Sequence, residues 1–70
     1  MTPREYWNTY VERNGGPAKV SELTGVPLST IAGVCNGSRG IGRRLAQRLA
    51  AADPMLDYKT LVWVTAKEAA

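Results

Sequence analysis

Apolar positions recur at helical spacing through most of this chain, and each recurrence is bracketed by residues that start or stop a helix. Trp7, Tyr10 and Val11 stand at i, i+3 and i+4 and give the first segment a single apolar stripe. Ahead of them, Thr2-Pro3-Arg4-Glu5 has the form of a capping box with proline at the first helical position. Asn14-Gly15-Gly16 stops that helix, and Gly16 followed by Pro17 opens the next. In this second helix Val20, Leu23 and Thr24 are expected to face inward. Gly25 then supplies the left-handed turn residue, a conformation in which a side chain is strained. Pro27 presets the backbone entering a third helix, expected over Leu28 to Cys35, whose inward residues are Ile31 and Val34.

Asn36-Gly37-Ser38-Arg39-Gly40 reads as a loop. Ile41, Leu45 and Leu49 follow at every fourth position, and Ala46, Ala50, Ala51 and Ala52 add helix propensity to that segment. Asp53-Pro54 ends it and is itself a cap followed by proline, from which a fifth helix can begin. The tail reads two ways. Met55, Tyr58, Val62 and Ala66 share one helical stripe, whereas the run from Thr60 to Thr65 has the β-branched and aromatic content of a strand. Helix is preferred, and the strand stays open. The expected fold is all-α, a single domain over residues 1–70 with four to five helices around a central helix-turn-helix. Residues 54–70 are expected to form a dimerisation tail.

Composition narrows the class. A chain of 70 residues buries only ~60% of the surface that its unfolded form exposes, which is near the lower limit for folding unaided. A hydrophobic content of 44% with 21% charged residues is globular rather than disordered. The single cysteine excludes an internal disulfide, and the lack of histidine argues against a structural zinc site. Cys35 itself reads as a small packing residue. The start lacks an apolar signal region, and no apolar run nears the ~20 residues of a membrane span. A cytoplasmic protein without metal, cofactor or small-molecule ligand is expected.

Charge points to a partner. The net charge is only +3, but from Asn36 to Ala52 there are four arginines (Arg39, Arg43, Arg44 and Arg48) and no acid. Such a patch beside a turn between helices suits a phosphate backbone. On the third helix, at about 100° per residue, Leu28, Ser29, Ala32 and Asn36 fall on one arc of roughly a third of the circumference, with Gly33 at its edge. That arc is placed to face a DNA groove. Gly37, Gly40 and Gly42 follow no strand, so a nucleotide loop is not supported, and no acid, base and nucleophile combine into an active site. An enzyme is not expected.

The run from Gly16 to Gly37, GPAKVSELTGVPLSTIAGVCNG, resembles the helix-turn-helix of the lambda-repressor and Cro family. The likeness extends from Thr2 to Ala52. It rests on small Ser21, Gly25-Val26, Ser29-Thr30-Ile31, Asn36-Gly37 and the Ile41-Leu45-Leu49 helix. It implies that Leu28, Ser29, Ala32 and Gly33 face base edges in the major groove. It likewise implies that Ala18, Lys19, Thr30, Asn36, Arg39, Arg43 and Arg44 face phosphates. The chain departs from the family pattern in one place, since the reading arc lacks Gln, Arg and Lys. Either small residues let the helix sit deep in the groove, with choice drawn from thymine methyl groups, Arg39 and DNA shape, or this face meets a protein. The first is preferred because the arginines stand where phosphates would lie. Tyr58, Leu61 and Trp63 are the expected dimer interface, being large and apolar beyond helices that already complete a small core. The implied function is a dimeric, sequence-specific transcriptional regulator of double-stranded DNA, a Cro-like phage or prophage repressor acting by promoter occlusion. Its rivals are an antitoxin or excision-control protein, and an adaptor that binds protein through the same fold.

Overall fold

The computed structural model describes residues 2–66, and these form helices only: α1 Pro3–Arg13, α2 Pro17–Thr24, α3 Leu28–Asn36, α4 Arg43–Ala52 and α5 Tyr58–Leu61. Residues 67–70 of the expected tail lie outside the described residues. Among the described residues no helix is long and apolar enough to cross a membrane.

The local signals act as their chemistry dictates. Thr2 Oγ1 accepts from the Glu5 N–H at 3.1 Å and Glu5 Oε1 accepts from the Thr2 N–H at 3.1 Å, closing the capping box of α1. The Thr2 N–H, then its hydroxyl, hold the Glu5 carboxyl below the usual carboxylate range. Gly25 takes a φ of 75° and returns its N–H to Ser21 O at 2.9 Å, ending α2. Ser21 Oγ donates to Val26 O at 2.6 Å, so the small residue before the turn also pins its far side. Pro27, extended, then accepts from Thr30 and Ile31 as α3 begins.

The core runs through every helix. Trp7 and Val11 of α1, Val20 of α2, Ile31 and Val34 of α3, and Ala46 and Leu49 of α4 are buried together with Val26, Ile41, Leu56, Leu61 and Val64. Three expectations are corrected here. Leu23 is 57% exposed rather than inward, because only the narrow Val20–Thr24 stripe of short α2 is covered. Ile41 is buried but precedes α4, and within that helix Ala46 rather than Leu45 is fully covered. Helices one to four do not complete the core, since Leu56, Leu61 and Val64 close it from the tail.

The tail is neither the long helix nor the strand. Asp53 closes a turn, its Oδ1 accepting from Met55 N at 3.0 Å and its carbonyl from Leu56 N at 3.0 Å. The helix begins instead behind Asp57, which takes the Lys59 N–H at 3.2 Å and the Thr60 hydroxyl at 2.7 Å. It ends after one turn because Val64 is drawn to the α3–α4 loop, where its carbonyl accepts the Ile41 N–H at 2.8 Å. Arg4 of α1 ties the same corner, donating to Val34 O at the end of α3 and to Thr65 O at 2.6 Å.

Tyr10 couples α1 to the end of α4 by donating its hydroxyl to Asp53 Oδ2 at 2.8 Å. Burial, then the bond to Asp53 and its charge, push the phenol above its ordinary value of 10.0. The unfolded chain therefore releases this proton first as pH rises. The contribution is fully present below the ordinary phenol range and is lost above it. Urea midpoints should fall as pH rises above about 10, and Tyr10→Phe should flatten that fall. An identical decline in the variant would remove Tyr10 from the account.

Candidate nucleic-acid interface

Helix α3 owes its outward face to what its other face must bury. Ile31 and Val34 are fully covered, which turns Leu28, Ser29 and Asn36 to solvent and leaves Ala32 half-buried between them. Leu28 is 48% exposed, a large apolar group in water at the first position of the helix. No residue of α3 is charged, and between Glu22 and Asp53 the chain has no acid at all. The field over this face is therefore set by arginines.

Gly33 is buried and does not join the reading edge. The loop after α3 folds back over it: a Cβ at this position would meet Arg39 Cγ and Cδ at 3.1 Å and Ser38 Oγ at 3.4 Å. The fold-back is held by Ser38 N and Arg39 N, which donate to Gly33 O at 3.0 and 3.3 Å. Arg39 thus lies along the flank of α3 with its stem seated on the glycine and its side chain still exposed.

On the next flank α3 borders an open concavity of about 360 Å³. Thr30 and Pro27 line one wall, Arg44 and Arg48 another, and Arg39 and Gly42 close it, with no acidic residue among them. Gly42 begins α4 without a side-chain cap, so the opening N–H groups of that helix add partial positive charge to the same hollow. Guanidinium groups, a hydroxyl and free N–H groups are what a phosphate monoanion takes. Arg48 also donates to Gly25 O at 3.1 Å, bracing the α2–α3 turn from α4.

No family model, curated protein or solved structure matches this chain. The chemistry of the site rests on its own residues.

Of the residues expected at phosphates, Thr30, Arg39 and Arg44 come together in the concavity, and Arg43 is exposed but outside its lining. Ala18 and Lys19 are exposed at the opening of α2, whose cap Gly16 supplies no side chain, so their N–H groups are free for an anion. The Lys19 ammonium sits 3.7 Å from Glu22 on the same helix, an exposed pair that gives little stability. Asn36 is exposed, with its carbonyl oxygen taken by Ser38 N at 2.8 Å. Arg48 is the residue the site reading left out. It stands four positions after Arg44 on one face of α4, and that spacing was the available signal.

The expected dimer residues separate. Leu61 is fully buried in the core that α5 closes and presents no surface to a partner. Tyr58 is half-buried against that core, while Trp63 is 71% exposed beside Pro3 and Arg4.

Proposed function

We propose that this chain is a sequence-specific double-stranded DNA-binding regulator of the lambda-repressor and Cro type, acting in the cytoplasm by occupying a promoter. The observation that carries the reading is the pairing of an uncharged, solvent-facing helix arc with a concavity walled by Arg39, Arg44 and Arg48. In this reading α3 enters the major groove while the arginine hollow takes a backbone phosphate. The phosphate contact fixes register, and the arc reads base edges. Arg43, Lys19 and the N–H groups opening α2 extend the backbone contact along the strand. Two-fold operators need two copies at fixed spacing, and exposed Trp63 is, of the three residues expected at the interface, the one with most surface to join them.

The test is binding to duplexes selected from a random pool, measured against salt. Each phosphate contact contributes about −0.9 to the slope of log K against log salt. Arg39→Ala and Arg44→Ala should each shallow the slope by about that amount and weaken all sequences alike. Unchanged slopes in both variants, or no duplex bound at low salt, would contradict the proposal.

A further inference from the structure

We infer that Leu28 reads thymine methyl groups, so that the DNA this chain selects is A·T-rich where α3 enters the groove rather than centred on guanine contacts. The inference rests on the DNA-binding reading above and adds to it the class of base edge.

Elimination on α3 comes first. Guanine is read in the major groove by a charged fork on O6 and N7, and Leu28–Asn36 holds neither arginine nor lysine. Adenine is read by an amide that offers a donor and an acceptor together. Asn36 is the one amide on the helix, and its side-chain oxygen already accepts the Ser38 N–H at 2.8 Å, which ties one of the two atoms of its fork to the loop. Gly33 is sealed under the Arg39 stem. Ser29 is exposed, but a lone hydroxyl serves either base.

What remains on the arc is apolar. Leu28 and Ala32 stand one turn apart, and Leu28 keeps 48% of its surface in water in the free protein. The arginines of the concavity that borders α3 make an apolar protein groove a poor cover for this face, whereas a polyanion satisfies them. The thymine C5-methyl is the one apolar group that the base edges present in the major groove. Leu28 packed on such a methyl, with Ala32 giving the room to approach, satisfies the exposed leucine while the neighbouring concavity takes the backbone charge. Burying one methyl changes affinity about fourfold.

The experiment uses the full chain and the duplex it selects from a random pool. Each thymine in the selected site is replaced singly by uracil, which removes the methyl and keeps the pairing. Affinity should drop about fourfold at one or two positions, and 5-methylcytosine at those positions in a C·G pair should recover part of the loss relative to cytosine. In Leu28→Ala, an exposed position whose truncation spares the core, overall affinity should drop and the thymine-to-uracil ratio at those positions should fall toward one, while the salt slope set by the arginines persists. Uracil duplexes bound as tightly as thymine ones would overturn the inference and leave DNA binding standing. So would a full ratio retained in Leu28→Ala, or selection of guanine-centred sites. Failure to bind any duplex would remove the DNA reading itself, and the inference with it.

Discussion

Ala32→Glu should abolish duplex binding while the domain stays folded. Ala32 lies at the middle of the outward arc, one turn after Leu28, and is half-buried, so a longer side chain there leaves along the helix surface toward solvent. Glutamate is a good helix former, and the substitution changes helix propensity by only a few tenths of a kcal/mol. In a groove walled by phosphates the same carboxylate meets like charge with its hydration removed. Such a juxtaposition costs several kcal/mol, about a hundredfold or more in Kd. Ala32→Gln, with the same shape and no charge, should retain much more binding. Affinities of the three proteins with their far-ultraviolet circular dichroism decide it. Wild-type affinity in a folded Ala32→Glu variant would show that α3 is not the reading helix.

Two residues of the tail, separated by one position, should behave oppositely. Leu61 is fully buried, and truncating it to alanine removes apolar contact and leaves a cavity, a loss of about 2–5 kcal/mol. A domain of 70 residues holds only about 4–10 kcal/mol in total at typical values per residue, so Leu61→Ala should lose a large share of it and unfold at a much lower urea concentration. Trp63→Lys changes a group that is 71% exposed and should leave the unfolding midpoint nearly unchanged. It should instead shift the protein toward monomer, by setting a charge at the proposed two-fold contact. Urea titration and sedimentation of both variants at equal concentration separate the two roles. A stable Leu61→Ala, or a Trp63→Lys variant as dimeric as wild type, would contradict the assignments.

The sequence made some features legible and hid others, for physical reasons that differ by residue. The Thr2–Glu5 box, the Gly25 turn and the Ile31–Val34 face are short-range: propensity and periodicity over a few residues determine them. Periodicity says which positions share a face but not what lies over it. By angle Gly33 falls at the edge of the arc, yet the loop after α3 returns across it and seats Arg39 there. Leu23 shows the converse: its spacing puts it beside Val20 and Thr24, but α2 is covered along too narrow a stripe to reach it. The tail could not be resolved locally. Its β-branched residues suit a strand and its spacing suits a helix, but the outcome is set by Asp57 as cap and by Val64 docking on Ile41, twenty-three positions earlier in the chain. In the site, four arginines were visible as a cluster, whereas which of them converge follows from the helical register of α4, which brings Arg48 in with Arg44 and leaves Arg43 out.

The central claim is that α3 and the arginine hollow together form one DNA-binding face. Amide chemical-shift mapping of the full chain during titration with a selected duplex tests it most directly. The account predicts that the largest changes fall on residues 28–33 and 39–48, with smaller ones at Ala18 and Lys19, while the Tyr6–Arg13 side of α1 stays unmoved. Changes centred on Trp63 and the Tyr6–Arg13 side, with α3 silent, would contradict it.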